Sequence, residues 1–450
     1  MNFLNLPAYE ITNVNENEHD YHVEVEAKDH PRTCQNCDAH DIVGFGRNVQ
    51  MVYDLPMHGK RVGLYINTRR YQCRACNKTF FERLPDVDGR RMMTSRLVKW
   101  MGPQSIKKPF THIADEVGVT ENTVKNVFLD HIKELEQSTV FATPRVMGID
   151  EIHIIGKPRC VVTNIEQQTA IELLPDRNKK SVINYLMRLK DRKQIAKVSM
   201  DMWAPYRDAV AAALPGAVVV VDKFHVVKMA NEGLEAIRKE IRADLSDKQR
   251  RGLMHDRFIL LKREHDLKGL DNITLESWTK NFPVLGDAYR AKEAFYAIYD
   301  APSREEALER YRQWKARLLP KVADAFKPLT TAIGNWETEI FNYFEHQITN
   351  AFTESLNSLI RHIDRAGRGY SFPALRAKLL YTKGAQKVKK PKFQRHEPRH
   401  APRSVPEYMD LVVDTNSSWP RVSSTRIVEP EINYGADISI LVKMLEEGTL

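Results

Sequence analysis

The middle of the chain is divided between apolar runs typical of buried strands and segments with the spacing of helices. From residue 143, the runs VMGIDEIHII, RCVVTNIE and TAIELLPD predict three strands with short connections. They are followed by a helix in SVINYLMRLKD, a strand in IAKVSMD, a helix in PYRDAVAAALP and a strand in AVVVVD. Continuous Val and Ile runs are typical of strands that helices cover on both faces. Residues 143–228 therefore predict a mixed sheet between helical layers.

The predicted order β-β-β-α-β-α-β is the skeleton of the ribonuclease-H-like fold, and three of its strands end at or just reach an aspartate. Asp150, Asp201 and Asp222 follow the runs VMGI, AKVSM and AVVVV. Carboxylates delivered from strand ends supply the oxygen ligands that hard divalent metals prefer. We therefore expect an α/β core, with a mixed ribonuclease-H-like sheet, that holds metal at these strand ends.

A segment with the apolar spacing of helices interrupts this core. Residues 229–343 place apolar positions at helical spacing with Glu, Lys and Arg between them, which predicts an all-α insertion. Residues 344–385 then return to the core with the helix ITNAFTESLNSLIRHI, in which Glu354 lies on a polar stripe beside the apolar one. A glutamate on such a helix is more often solvated, and only the upstream aspartates favour a fourth metal-facing acid.

Residues 89–140 predict a helix-turn-helix in THIADEVGVTENTVKNVFLDHIKEL. Gly118 allows the turn, and the second helix begins at Thr120 or Glu121 with an apolar side of Val124, Val127 and Phe128. An ordinary pair of packed helices is the alternative. The residues left facing outward are polar and suit a DNA major groove; they are Asn122, Thr123, Lys125 and Asn126.

Four of the five cysteines form two CxxC pairs within residues 1–88. Two such pairs complete a tetrahedral four-sulfur site that holds a structural Zn²⁺ ion. The 35 residues between the pairs exceed the usual zinc-ribbon spacing but include strand-like text. Two unrelated pairs of buried cysteines are the alternative. Basic residues such as Arg69 and Arg70 suggest a DNA-contact module; the predicted zinc ligands are Cys34, Cys37, Cys73 and Cys76.

The formal net charge of +9 over 450 residues favours a polyanionic partner. No apolar run approaches the roughly 20 residues that cross a bilayer, and the N-terminus lacks a secretory signal pattern. We therefore expect no membrane association and a cytoplasmic, nucleoid-associated location. Residues 386–450 begin with the basic, proline-rich KVKKPKFQRHEPRHAPR and predict a linker and tail without an assigned task.

In combination, these motifs resemble the ISL3 family of bacterial insertion-sequence transposases. The resemblance rests on the CxxC pairs, the helix-turn-helix, GIDE, DMWAPY, DKFHVVK and an N-x-x-x-E-x-x-N helix, in order along nearly the whole chain. The residues around Glu354 differ somewhat from the family pattern. The resemblance implies an acidic-triad transposase that uses Mg²⁺ or Mn²⁺. It also implies double-stranded DNA partners, both inverted-repeat ends and target DNA, and a homodimer or higher oligomer.

Two aspartates compete for the second place in the triad. In the ribonuclease-H-like order 3-2-1-4-5, the strand of Asp201 lies beside that of Asp150, and neighbouring strands are about 4.8 Å apart. Because a metal pair needs converging carboxylates, we predict Asp150, Asp201 and Glu354 as catalytic Mg²⁺ ligands. Asp222 and His225 are predicted to support the site, with Asp222 as the alternative second acid.

Two other functions fit the same sequence. One is a DNA-binding regulator derived from a transposase, whose core no longer cuts DNA. The other is a structure-specific ribonuclease-H-like nuclease. The three intact acids count against the first, and the DNA-handling modules at the front of the chain count against the second.

Overall fold

The computed structural model of the protein describes residues 4–139 and 141–384. An N-terminal sheet of seven strands has the order β1-β2-β4-β3-β7-β6, with β5 paired to β4. Its longest pair, β3 and β4, forms an antiparallel ribbon that extends beyond the rest of the sheet. The strands are β1 (Tyr9–Glu16), β2 (Asp20–Ala27), β3 (Ile42–Met57), β4 (Lys60–Cys73), β5 (Thr79–Phe81), β6 (Val87–Asp88) and β7 (Met93–Thr94).

Three helices follow: α1 (Ser95–Lys107), α2 (Phe110–Val117) and α3 (Glu121–Ser138). Gly118 ends α2 in the left-handed region, with φ of 87°, where a residue without Cβ is favoured. The Thr120 hydroxyl then accepts a hydrogen bond from the backbone of Thr123 and caps α3. The helix pair and the turn predicted from the sequence are both present.

The second sheet has the strand order β10-β9-β8-β11-β12. Strands β8, β9 and β10 are antiparallel neighbours, whereas β11 runs parallel to both β8 and β12. This is the order 3-2-1-4-5 expected from the sequence. The elements are β8 (Val146–Ile154), β9 (Lys157–Asn164), β10 (Thr169–Leu173), α4 (Lys179–Arg188), β11 (Lys197–Met200), α5 (Ala204–Ala213) and β12 (Val218–Val221).

The described chain after β12 is helical. The helices α6 to α13 enclose an apolar cluster of their own, which includes Leu234, Phe295, Trp314 and Phe326. The bounds are α6 (Lys223–Ala243), α7 (Asp247–His255), α8 (Arg257–Leu261), α9 (Leu270–Asn281), α10 (Pro283–Tyr296), α11 (Arg304–Arg317), α12 (Pro320–Phe341), α13 (Tyr343–His346), α14 (Ala351–Gly367) and α15 (Phe372–Leu379).

One hydrophobic cluster joins the helix-turn-helix to the second sheet. Leu97 and Phe128 belong to the same buried cluster as Val161 of β9 and Leu356 of α14. Helices α1 to α3 therefore pack on the core. Within the described part of the chain, no helix is long and apolar enough to cross a membrane. The linker and tail predicted for residues 386–450 lie outside the described residues.

Candidate active site and zinc centre

Three acids lie at one edge of the second sheet because β8, β11 and β12 are parallel. Asp150 is the middle residue of β8 and comes directly after Ile149, the last residue of β8 that pairs with β11. Asp201 follows β11 directly. Asp222 follows β12 and is the N-cap of α6, where its carboxylate accepts a hydrogen bond of 3.4 Å from the backbone of Phe224.

Helix α14 brings the fourth acid, Glu354, by packing tightly on β8. Gly148 makes the close approach possible: a Cβ there would lie 2.6 Å from Thr353 Oγ1 and 2.7 Å from Asn350 Oδ1. The hydroxyls of Thr163 and Thr353 are 2.7 Å apart, and Asn350 Nδ2 donates to the carbonyl of Ile149 at 3.3 Å. The helix is therefore fixed to the strand that carries Asp150.

Both oxygens of the buried Asp150 carboxylate accept hydrogen bonds. Oδ1 accepts from the backbone of Glu151 at 2.7 Å, and Oδ2 accepts from Nδ2 of Asn357, also at 2.7 Å. Asn357 is the last residue of the N-x-x-x-E-x-x-N pattern in the sequence, but it was not among the predicted site residues. Its position three residues after Glu354 was the available signal, because residues i and i+3 share a helix face.

The His225 imidazole lies among the other acids. Its Nδ1 is 2.9 Å from Asp201 Oδ1 and 3.8 Å from Asp222 Oδ2, and its Nε2 is 3.5 Å from Glu354 Oε1. The 2.9 Å approach is an ion-pair contact that lacks hydrogen-bond geometry, since neither Asp201 Oδ1 nor His225 Nδ1 has a hydrogen-bond partner. One cationic ring thus separates acids from two strand ends and a helix.

The close approach of these charged groups shifts the pKa values of Asp150, Glu354 and His225. Burial raises the pKa of Asp150 well above its ordinary value, and the charges of Asp201 and Glu354 raise it further. Burial also raises the pKa of Glu354, while His225 opposes this shift and Asp201 and Asp222 add to it. Burial alone would lower the pKa of His225, but Asp201 and Asp222 raise it to about 11. The acids favour a cation between them.

The donor set suits a hard metal ion. Among the described residues, Asp201 Oδ1 and Asp222 Oδ2 are buried without a hydrogen-bond partner, and carboxylate oxygens are the ligands that Mg²⁺ prefers. The acids are nevertheless more widely spaced than the cysteines. Among the described residues, the one set of at least three His, Cys, Asp or Glu ligand atoms that all lie within 4.8 Å of one another is the cysteine set.

The four cysteine sulfurs have the spacing of a tetrahedral zinc site. Cys34 Sγ is 3.7 Å from Cys76 Sγ, and Cys37 Sγ is 3.6 Å from Cys73 Sγ. Four sulfurs at about 2.3 Å from a Zn²⁺ ion are about 3.8 Å apart. The β3–β4 ribbon accounts for the long gap between the pairs, because Ile42 at its start is paired with Cys73 at its end.

The residues predicted to contact DNA differ in how available they are. On α3, Asn122, Lys125 and Asn126 are exposed. Thr123 is half-buried, with its hydroxyl 3.0 Å from that of Thr120. The outward face of the second helix is therefore free along three of the four predicted positions.

The two predicted arginines of β4 have different surroundings. The Arg69 guanidinium is 2.8 Å from Glu26 Oε2 and 3.6 Å from Glu82 Oε2, so it is held in ion pairs within the sheet. Arg70 donates to the hydroxyl of Thr79 at 2.8 Å and remains at the surface. Arg69 is thus the less available of the two.

Comparisons with known proteins agree with this architecture. A model of ISL3-type transposases, described as a transposase, matches residues 147–379. A model described as the zinc-finger of transposase IS204/IS1001/IS1096/IS1165 matches residues 30–76, and one described as the helix-turn-helix domain of transposase family ISL3 matches residues 82–132. The zinc ribbon and the helix-turn-helix predicted from the sequence are confirmed.

Curated relatives carry matching names. The transposase for insertion sequence element IS1001 of Bordetella parapertussis is 21% identical over 75% of this chain and 85% of its own. The transposase for insertion sequence element IS1557 of Mycobacterium tuberculosis is 26% identical over 56% of this chain and 62% of its own.

The sheet edge, the DNA-binding helices and these matches define the chain as an insertion-sequence transposase with a DDE-type core. More narrowly, the chain belongs to the ISL3 family, since the transposase model covers more than half of it. The resemblance seen in the sequence is confirmed.

Proposed function

We propose that the chain binds the ends of an insertion sequence and cuts and joins DNA strands at Asp150, Asp201 and Glu354. The observation that carries this proposal is the approach of Asp201 and Glu354 to His225 at one sheet edge, where the charges of both acids raise the pKa of Asp150. We infer that β8 to β12 with α14 form a ribonuclease-H-like core and that α6 to α13 form an all-α insertion. The matching domains are residues 1–88, 89–140, 143–228, 229–343, 344–385 and 386–450.

Two features support Asp201 over Asp222 as the second acid. The charges of Asp201 and Glu354 raise the pKa of Asp150, which supports grouping these three acids. The side chain of Asp201 is 24% exposed, whereas that of Asp222 is 2% exposed and caps α6 through one carboxylate oxygen. We assign Asp222 and His225 to positioning, because His225 lies between Asp201 and Glu354.

Asp150, Asp201 and Glu354 would hold two Mg²⁺ or Mn²⁺ ions, which when bound would activate water or a DNA 3′-hydroxyl and stabilise the leaving oxygen. The chain's own residues prepare this site. Asn357 and the backbone of Glu151 orient the two oxygens of Asp150. The hydrogen bonds of Asn350 to β8 and of Thr353 to β9 hold the helix that carries Glu354 against the sheet.

DNA recognition belongs to the front of the chain on this proposal. The exposed polar residues of α3 would read the major groove of the element ends, with Arg70 and the zinc ribbon as further contacts. Because two ends are cut and joined together, we expect the chain to act as a homodimer or higher oligomer on DNA.

Cleavage of a plasmid carrying the element ends tests the proposal. With Mg²⁺, we expect wild-type protein to nick at the ends, and Asp150→Ala, Asp201→Ala and Glu354→Ala each to lose at least about 100-fold in rate. Asp208→Ala is the matched control, because this half-exposed acid on α5 makes only a surface ion pair with Lys179.

Other outcomes would favour a different assignment. If Asp222→Ala abolishes nicking while Asp201→Ala leaves it intact, Asp222 is the second acid. Binding to the ends without nicking would indicate a regulator, and cutting of RNA–DNA hybrids regardless of the ends would indicate a nuclease of another kind.

A further inference from the structure

Two exposed phenylalanines and an arginine form a row across three strands of the N-terminal sheet. The Arg70 guanidinium carbon is 5.4 Å from the ring centre of Phe45 and 5.7 Å from that of Phe81. Phe45 on β3 is 51% exposed and Phe81 on β5 is 40% exposed. Single exposed apolar side chains are common, but two exposed rings that contact one guanidinium form a contiguous patch. This Phe45–Arg70–Phe81 row is therefore a candidate interaction surface.

The zinc centre does not account for the row, because it uses the opposite face of the same strands. Tyr71 pairs with Phe80 and Arg70 pairs with Phe81, and consecutive residues of a strand point to opposite faces. Tyr71 and Phe80 stack on each other and pack with the buried zinc ligands. The inner pair thus completes the small core around the cysteines, whereas Arg70 and Phe81 face outward.

A β-bulge presents the third member of the row. Phe45 and Gly46 together stand opposite the single Arg70, because the register of β3 against β4 shifts between Gly44 and Arg47. Gly46 has a φ of 111°, a backbone conformation that residues other than glycine rarely adopt. Nothing lies within 4 Å of a Cβ built at Gly44 or Gly46. The ring of Phe45 consequently projects between two residues without side chains, and bulges commonly re-aim a side chain in this way.

The charge around the row favours an anionic partner. Residues 28–83 contain ten lysines and arginines against five aspartates and glutamates. Arg69 is balanced by Glu26 and Glu82. In the part of the chain that the structure describes, no carboxylate lies within ion-pairing distance of Arg70, whose contacts are Thr79 and the two rings. A half-buried cation between two exposed rings therefore remains without a carboxylate partner among the described residues.

We propose that the Phe45–Arg70–Phe81 row is a stacking platform for unpaired DNA bases. Rings and a guanidinium plane laid across a sheet present flat faces, and flat faces recognise bases that are no longer covered by their neighbours in a duplex. The cation between the rings contributes attraction both to the strand's phosphates and to the base faces. In a protein that opens DNA ends, the platform holds the freed strand near the zinc ribbon.

This inference rests on the DNA-processing function proposed above, but its test needs no cleavage. The full chain with its zinc bound is titrated, without added Mg²⁺ or Mn²⁺, against a single strand of about 15 nucleotides that carries 2-aminopurine, and against a blunt duplex of the same sequence. Wild-type binding should change the 2-aminopurine fluorescence, as stacking of the base requires. Phe45→Ser and Phe81→Ser should each weaken single-strand binding about tenfold and change duplex binding less than about twofold.

Two comparisons isolate the platform from general effects. Val49→Ser is the matched control, because Val49 is also on β3 and is 60% exposed but is not part of the row. Arg70→Lys keeps the charge without the plane, so it should weaken single-strand binding nearly as much as Arg70→Gln does. The zinc content of each variant reports whether the ribbon has folded.

Equal single-strand affinity of wild type and of Phe45→Ser/Phe81→Ser, with zinc retained, would overturn the proposal. A change from dimer to monomer in that double variant, with oligonucleotide affinity unchanged, would instead show that a second copy covers the row. Failure of the plasmid cleavage assay would leave this binding result unaffected, so the two proposals fail separately.

Discussion

At the scale of single residues, Asn357 decides how Asp150 is presented. Its side chain is 1% exposed and donates to Asp150 Oδ2 at 2.7 Å. Residues that orient a metal ligand typically contribute 10–100-fold to metal affinity or activity. We expect Asn357→Ala to lower Mg²⁺-dependent nicking by about that factor, and to raise the Mg²⁺ concentration needed for half-maximal rate.

Ser358 provides the control for this substitution, because it is the next residue on α14 and is exposed. Ser358→Ala should nick as wild type does. If Asn357→Ala lowered the rate without changing the Mg²⁺ dependence, Asn357 would act on the DNA and not on Asp150.

Gly148 sets the distance between α14 and β8. A methyl group there would meet the hydroxyls of Thr163 and Thr353 and the amide of Asn350. We expect Gly148→Ala to displace Glu354 and to reduce nicking about 100-fold, since a shift of about 1 Å has effects of that size. Thermal unfolding should show a loss of about 1–3 kcal/mol. Gly216→Ala, where no atom lies within 4 Å of the added Cβ, should match wild type; equal behaviour of both variants would contradict the packing argument.

At the scale of elements, a buried lysine joins α15 to the end of α1. Lys378 Nζ donates to the carbonyl of Lys108 at 2.9 Å and to that of Ser105, and it lies 4.7 Å from the ring centre of Phe110. Burial lowers the pKa of Lys378 to about 7. The folded chain therefore releases this proton at a pH where a free lysine, with a pKa of about 10.4, keeps it.

This difference predicts a stability slope with a defined sign. Between about pH 7 and 10, the unfolded state binds one proton more at Lys378 than the folded state does, so the free energy of unfolding rises with pH. In urea unfolding, the free energy of unfolding of the wild type should rise relative to that of Lys378→Met by up to about 1.4 kcal/mol per pH unit. Below pH 7 the free energies of unfolding of the wild type and of Lys378→Met should change with pH in parallel. Lys133→Met, at an exposed position of α3, should show no such difference, and a flat comparison for Lys378→Met would rule out the shift.

Elements were predictable from the sequence where local pattern determines them. The buried valine runs predicted the strands, and the aspartates at their ends marked the sheet edge where Asp150 and Asp201 lie. Contacts between distant parts were not predictable. The sequence FPALRAKL alone suggests a solvated lysine. Lys378 is buried in the structure because it contacts the end of α1, some 270 residues earlier. The spacing on α14 puts Glu354 and Asn357 on one helix face, but only the packing of α14 on β8 brings Asn357 to Asp150.

At the scale of the whole molecule, the described chain has two large hydrophobic clusters that divide it differently from its motifs. One joins the helix-turn-helix to the sheet and α14, so that Phe128, Ile152 and Leu356 share a core. The other extends from Val221 to Phe344 and is formed almost wholly by α6 to α13. The DNA-reading helices and the acid site therefore belong to one packing unit, which couples the position of α3 to that of Glu354.

Separate expression of two segments distinguishes these packing units. Residues 223–346 retain nearly all of their cluster, so we expect this fragment to melt cooperatively by circular dichroism, as single cores of this size do. Residues 89–140 lose the apolar partners on β8, β9 and α14, and we expect them to show no cooperative transition, because the buried face of α1 and α3 would be left in water. A cooperative melt of the 89–140 fragment would mean that the shared cluster is not needed for its folding. In that case the helix-turn-helix would be free to move relative to the acids, and the position of bound DNA would have to be set by the connection between α3 and β8 alone.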